Sequence, residues 1–333
     1  MPAADPRVSI CVPAWRGHTL GRFLDSLRSQ AHPLDYELLV RDDCSPHGVG
    51  EAFRAHHRGE PHWHYRRNPA NLGGYDNIRA CTEGARGRYV LIISDDDELQ
   101  PDGFATLDRI MALADRCGAQ AALACDRLNP KYGTAAVLPN SFAWLRDVSI
   151  NVPAFISRVI WRRAFWDAYP YAAYPPEMSL PQLDCFIEAC LAAPIVAGNR
   201  DVVRIGKADD TDVPGYWFYT RHAPVDCYEY PELYRKVLTR GRPDPRTRFW
   251  IRARRIALLR ETYKKVLFMR ANEQFYHPTV AGFRRYYGGT AYGLFFLPLV
   301  WLLLRTPLGA ALARRRYGKR EPLPARPAGA RGY

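Results

Sequence analysis

Two acidic clusters stand where short apolar runs end. Asp42 and Asp43 follow the run Glu37 to Arg41, and Ser94-Asp95-Asp96-Asp97-Glu98 follows Tyr89 to Ile93. Adjacent carboxylates repel one another, so a protein keeps three or four together where a cation or solvation offsets the repulsion; hard oxygen donors suit Mg²⁺ or Mn²⁺. A metal that bridges phosphates is the natural use of such a set. Helix capping is the plainer alternative, since Pro101 and Asp102 open the next helical pattern. A cap needs one acid rather than four.

Two further positions carry side chains fit for chemistry. Asp184 lies in Leu180-Pro181-Gln182-Leu183-Asp184-Cys185-Phe186, where a helical pattern begins. His222 closes the run Tyr216-Trp217-Phe218-Tyr219-Thr220-Arg221-His222, whose aromatics suit stacking on a sugar and whose Arg and His suit pyrophosphate or metal. Each has a structural alternative. An acid in a first helical turn satisfies backbone amides and the helix dipole, and a histidine among nine is as readily a packing residue. Gly48-Val49-Gly50 lacks the third glycine of a dinucleotide loop, Phe53 standing in its place, and no Walker lysine motif occurs, so neither NAD binding nor ATP hydrolysis is supported.

The elements that must position these groups follow from apolar periodicity. Val8 to Val12, Glu37 to Arg41, Trp63 to Tyr65, Tyr89 to Ile93 and Ala119 to Ala124 read as strands. Between them Leu20, Phe23, Leu24 and Leu27 line one face of a helix over Leu20 to Gln30, and Phe104, Leu107, Ile110, Met111 and Ala114 do so after Pro101. Strands separated by helices imply an α/β fold with a mostly parallel sheet covered on both faces. In such sheets ligands bind beyond the carboxyl ends of the strands, where both acidic clusters fall. Further helices are expected from Gln182 to Ala193 and from Asp244 to about Met269, after an irregular Pro- and Tyr-rich segment from Tyr169 to Pro181.

Four segments taken in order, Val8-Ser9-Ile10-Cys11-Val12-Pro13, Leu39-Val40-Arg41-Asp42-Asp43-Cys44-Ser45, Asn71-Leu72-Gly73-Gly74 and Ser94-Asp95-Asp96-Asp97, resemble the family two glycosyltransferases across roughly residues 7 to 125. The run Ser-Asp-Asp-Asp also resembles, more loosely, the abequosyltransferase-like enzymes of surface polysaccharide assembly. The resemblance implies a GT-A (Rossmann-like) fold, a nucleotide-sugar donor, Mn²⁺ or Mg²⁺ at a D-x-D motif, and inversion at the anomeric carbon. It implies Pro13, Ala14 and Trp15 at the nucleotide, Asp42 or Asp43 on the base or ribose, Asn71 and Gly73 in the site floor, Asp95 at the donor, and Asp96, Asp97 and His222 as metal ligands. Counted as a bare D-x-D the pair is Asp95 and Asp97, so which carboxylate touches metal stays open. Sugar transfer needs a base for the acceptor hydroxyl. The family supplies it from a Glu-Asp pair before a helix; Asp184 matches the Asp and Leu183 replaces the Glu. Where the family reads Asp-Asp-Gly-Ser this chain has Cys44, and an altered turn is expected because Cys lacks the freedom of glycine at positive φ.

The 333 residues suffice for about two domains, and 47% hydrophobic with 24% charged residues excludes a disordered or collagenous chain. The net charge of +13 is unevenly placed: from Arg235 onward 23 Lys and Arg face four acids, net +19, and the rest carries −6. We expect a catalytic domain over residues 1–234, a nucleotide-sugar half to about 125 and an acceptor half from 126, then a basic helical region over 235–333. Within that region Ala291 to Leu304 is apolar for 14 residues beside arginines, too short to span a bilayer of about 30 Å yet suited to its interface. Fourteen apolar residues in a basic tail argue for an anionic membrane surface and against nucleic acid. Eight scattered cysteines without a C-x-x-C pair indicate a reducing compartment, and the N-terminus lacks a signal-peptide pattern. The expectation is therefore a peripheral enzyme at the cytoplasmic face with a lipid-linked glycan acceptor. Two other classes compete. A nucleotidyltransferase would show a Gly-rich basic loop after the first strand, unlike Val12-Pro13-Ala14-Trp15-Arg16-Gly17; a non-catalytic lipid or nucleic-acid binder would use the basic tail alone.

Overall fold

Apolar runs flanked by Pro, Gly and Asp form the strands β1 (Val8–Ala14), β2 (Tyr36–Asp42), β3 (Trp63–Arg67) and β4 (Tyr89–Ile92), each within two residues of the sequence expectation. Pairing is parallel throughout this half: β1 lies between β2 and β4, and β3 lies outside β2. The intervening helices are α1 (Gly17–Arg28), α2 (Val49–His56) and α3 (Gly74–Thr82). Strand β4 is buried at every position and β1 at all but one, which is why both read as unbroken apolar runs. This computed structural model describes residues 5–126, 130–148, 150, 152–171, 180–206, 229–255, 258, 298–299, 302 and 306–317.

Past β4 the chain makes the two-residue strand β5 (Glu98–Leu99), the helix α4 (Gly103–Cys117) and the strands β6 (Ala121–Ala124) and β7 (Ala136–Val137). The short helix α5 (Trp144–Asp147), β8 (Val159–Arg162), α6 (Arg163–Ala168), α7 (Pro181–Ala192), β9 (Val196–Gly198) and β10 (Val203–Arg204) follow. The main sheet runs β3-β2-β1-β4-β8-β6-β9-β7. Strand β8 is antiparallel to both β4 and β6, so the sheet is mostly parallel with a reversed strand at its centre. The winding reverses between β1 and β4, the position at which open α/β sheets bind their ligands.

The core lies under this sheet: Val8, Ile10, Leu20, Phe23, Leu24, Leu91, Leu107, Ile110 and Met111 are wholly buried. At about 1.5–3 kcal/mol for each large apolar side chain, the stripes of α1 and α4 anchor the first half of the sheet. A single Phe23→Ala would cost about 3–5 kcal/mol. Residues Met1–Tyr169 and Gln182–Ala208 belong to one unit, Pro170–Pro181 and Asp209–Ala328 to a second. In the second unit a helix spans Tyr230–Arg240, with Pro231 at its start, another spans 245–255, and a third spans Pro307–Tyr317. The helix expected from Asp244 is therefore present to residue 255, and of its expected continuation to Met269 only Leu258, helical and buried, is described. Of the apolar stretch 291–304 only Pro298, Leu299 and Leu302 are described.

Candidate active site

Strand β4 ends at Ile92 and the ribbon strand β5 begins at Glu98, so the three aspartates occupy a tight connection pinned at both ends. Their environments differ. Asp95 is 3% exposed, and its Oδ2 accepts the backbone N–H groups of Trp15 and Arg16, both at 2.6 Å. It thereby ties the loop after β1 to the end of β4. Burial pushes its carboxyl above the usual range, against those two N–H bonds and the Arg16 guanidinium. Asp97 is equally buried: it accepts the Ser157 hydroxyl at Oδ2 and the Gly206 backbone N–H at Oδ1, 2.8 Å away. Burial, with Asp96 and Asp95 adding repulsion, raises its carboxyl to about 6 despite those two donors. Asp96 is the most open of the three, accepting the Ser94 hydroxyl, with the Arg16 guanidinium 3.9 Å away.

The opposite wall is the loop after β1. Ala14 is buried in register with Asp42, while Pro13, Trp15 and Arg16 stay partly open. Trp15 packs edge-on against His47 at 5.6 Å, and its carbonyl accepts the Ser45 hydroxyl. The structure brings Asp42 and Asp43 to the end of β2 as expected but closes both within the protein. Asp42 is fully buried and accepts the Ser45 N–H at 2.8 Å, then Tyr65 Oη and Arg67 Nη1 at 2.7 Å each. Asp43 accepts Asn68 Nδ2 and the Leu72 N–H with Oδ1, and the Gly73 N–H with Oδ2, at 2.8–2.9 Å. It holds the Asn71-Leu72-Gly73 turn, whose Gly73 takes φ +84° and donates also to Asn71 Oδ1. In this arrangement both carboxylates brace the turns that follow β2 and β3.

One sequence expectation is corrected here. Cys44 has φ +58°, the left-handed conformation a glycine would hold, so the Asp-Asp-Cys-Ser turn keeps its geometry. The hydrogen bonds at Asp42 and Asp43 on one side and Ser45 on the other determine the backbone more strongly than the Cβ resists it. A left-handed non-glycine residue costs roughly 1–2 kcal/mol, of which a flexible glycine gives back under 1 in the unfolded chain. Cys44→Gly should therefore raise Tm by about 1–4 °C in a thermal melt. An unchanged or lower Tm would mean that the turn is not strained.

Asp184 occupies the first turn of α7, where Tyr169 donates its hydroxyl to Oδ2. Burial and the Asp184 charge push the Tyr169 phenol far above its usual range, so it stays a proton donor at any working pH. The start of α7 is linked to the acidic loop through one short segment: Gln182 Nε2 donates to the Ala154 carbonyl at 3.2 Å, and Ser157, three residues on, holds Asp97. Sequence reasoning missed Ser157, Tyr169 and Gly206, none of which stands in a motif. Gly206 carries a recognisable signal only in three dimensions, because a Cβ there would lie 1.8 Å from the Asp96 carbonyl oxygen. Only glycine lets the segment after β10 approach the acidic loop. His222 lies outside the described residues.

The oxygen-only donor set at Asp96 and Asp97 fits a hard divalent cation. The fit rests on Asp97, whose buried charge is left under-compensated by its two hydrogen bonds. Among the described residues one further group, Cys125, Asp126 and Asp201, brings three ligand atoms within 4.8 Å of one another. The Arg158 guanidinium, 3.5 Å from Asp201, already supplies positive charge there.

Residues 9–125 match the family model of Glycosyl transferase family 2. Over 107 residues the chain is 33% identical to the uncharacterized protein MT1568 of Mycobacterium tuberculosis (strain CDC 1551 / Oshkosh), a stretch making up 32% of this chain and 33% of that one. The chain thus spans about a third of the length of the curated relative it matches. Among solved structures it is similar to S. aureus TarS 1-349 in complex with UDP-GlcNAc: TM-score 0.55 at 17% identity, covering 94% of this chain and 88% of that one. It is similar also to the mannosyltransferase PcManGT from Pyrobaculum calidifontis in complex with GDP-Man and Mn²⁺, with TM-score 0.53 at 16% identity over 96% and 89% of the two chains. At such identities the likeness to solved structures is one of fold. The family match is confined to residues 9–125, about a third of the chain, and the sheet shares its fold with these glycosyltransferase structures.

Proposed function

We propose that this protein is an inverting, metal-dependent glycosyltransferase that moves a sugar from a nucleoside-diphosphate sugar to a hydroxyl of a lipid-linked glycan, in surface polysaccharide or glycolipid assembly at the cytoplasmic face of a membrane. The observation that carries this reading is the pairing of the β1 loop with the acidic loop through Asp95, at the point where the sheet reverses its winding. The fold neighbours described above hold UDP-GlcNAc or GDP-Man with Mn²⁺, which favours such a donor.

In this mechanism Pro13, Ala14 and Trp15 line the nucleotide, and Asp43 with Asn71 and Gly73 fixes the floor. Asp95 orients the two loops toward each other. Asp96 and Asp97, joined by His222, would hold Mn²⁺ or Mg²⁺, which when bound neutralises the departing diphosphate. Asp184 takes the proton of the acceptor hydroxyl as that oxygen attacks the anomeric carbon from the side opposite the diphosphate, inverting the configuration. Tyr169, a constant donor, keeps the Asp184 carboxylate turned to one rotamer. The basic region from Arg235 and the apolar stretch 291–304 bring the enzyme to its lipid-borne acceptor.

A panel of UDP-, GDP-, CDP- and dTDP-sugars with Mn²⁺ tests the donor. Turnover of one nucleotide class, abolished by EDTA, is expected. No turnover of any donor, alongside pyrophosphate release from a nucleoside triphosphate and a sugar 1-phosphate, would replace transferase with nucleotidyltransferase.

A further inference from the structure

The helix over residues 245–255 presents an unusual outer face. Asp244 caps it, accepting the Thr247 N–H at 3.0 Å and the Thr247 hydroxyl at 2.6 Å, and Pro245 opens its first turn. Its inner side carries the buried Thr247 and Ile251, and Trp250 packs edge-on against Tyr234 of the helix Tyr230–Arg240, 6.1 Å between ring centres. The side chain that would ordinarily be covered is on the other side: Phe249 is 74% exposed, the most exposed of the large apolar residues described. Arg246 and Arg252 stand three residues to either side of it and flank the ring, and Arg248, four before Arg252, stands on the adjoining side of the same exposed surface. All three arginines are exposed, and among the described residues none of their side chains has a hydrogen-bond or ion-pair partner.

An isolated exposed apolar residue needs no explanation, but a bare phenylalanine set among unpaired guanidinium groups has matched chemistry. Guanidinium forks bind phosphate in pairs of hydrogen bonds, and a ring projecting between them reaches past the headgroups to the acyl boundary. The same unit also exposes Leu299, Leu302 and Leu308, at 36%, 38% and 55%, which a bilayer accepts and a nucleic acid has no use for. We infer that the Arg246, Arg248, Phe249 and Arg252 face of this helix docks on an anionic lipid bilayer, headgroup phosphates on the arginines and the ring of Phe249 at the acyl boundary. This rests on the membrane reading of the preceding section and assigns a role in it to a named helix face. The face acts through charge and one aromatic anchor, so it binds reversibly and responds to salt.

The full-length protein is to be sedimented with vesicles of phosphatidylcholine containing 30 mol% phosphatidylglycerol, and with phosphatidylcholine alone. At about a kcal/mol for each basic residue at such a surface, R246Q/R248Q/R252Q should weaken anionic-vesicle binding on the order of a hundredfold. R246K/R248K/R252K should keep most of it, and Phe249→Ser should lose about tenfold. UDP and GDP binding measured on the same variants separates the two proposals. Vesicle binding with no nucleotide binding would sink the transferase reading and leave this one standing. Wild-type vesicle affinity in the glutamine variant would overturn the inference, as would loss in the lysine variant, equal binding to phosphatidylcholine alone, or displacement by a single-stranded oligonucleotide.

Discussion

Asp184→Asn should lower transfer to the natural acceptor by something like 10² to 10⁴ while leaving nucleotide affinity nearly unchanged. Asparagine keeps the shape of aspartate, caps a helix as well, and still accepts the Tyr169 hydroxyl. What it cannot do is take a proton. A merely structural Asp184, satisfying the first turn of α7, would give near-normal turnover in this variant. Tyr169→Phe removes the donor and spares the base, so its loss should be smaller, roughly tenfold in kcat. The assay needs the acceptor, because donor hydrolysis can proceed through water. Transfer at the wild-type rate in Asp184→Asn would show that another carboxylate serves, with Glu188 on the same helix the next to test.

The second large effect concerns Asp97, where function and stability pull apart. Its folded carboxyl titrates near 6 against an ordinary 3.8, a difference of about 3 kcal/mol in favour of the protonated form. Because the native state holds the proton more tightly than the unfolded chain, this contribution is complete below pH 4. It is lost as pH rises through 6, so at pH 7 the metal-free protein bears the full cost of a buried charge. Asp97→Asn should therefore raise the Tm of the metal-free protein at pH 7 by several degrees, and the gain should shrink toward pH 4. Calorimetry on the same variant should show nucleoside-diphosphate binding that no longer responds to Mn²⁺. Mn²⁺-dependent binding equal to wild type, or a lower Tm at pH 7, would remove Asp97 from the metal site.

Much of this arrangement is local in origin. A strand ends where its apolar run ends, so Asp42, Asp43 and the Asp95–Asp97 run had to stand at strand termini once Val8 to Val12 and its successors were read as strands. The stripes of α1 and α4 followed from spacing by three and four, and the helix ends lie within a turn or so of those stripes. The order Val8 to Pro13, Asp42 to Ser45, Asn71 to Gly74, Ser94 to Asp97 sufficed for the family resemblance, since a parallel sheet delivers successive strand ends to the same edge.

Division of labour among the carboxylates was decided by the tertiary structure alone. Spacing makes Asp95, Asp96 and Asp97 equivalent; they differ because Asp95 meets the N–H groups of Trp15 and Arg16, some 80 residues away, while Asp97 meets Ser157 and Gly206, 60 and 109 residues away. Asp42 or Asp43 is assigned to the base or ribose by the family resemblance, and only the fold shows that both are buried and hold Ser45 and the Gly73 turn. Cys44 was expected to alter its turn and instead adopts the strained conformation, because the bonds on either side outweigh the steric cost of one Cβ. Side-chain periodicity records which face of an element is buried. It carries no information about which distant donor fills the hydrogen-bonding positions of a buried acid, and that donor decides which two segments the acid ties together.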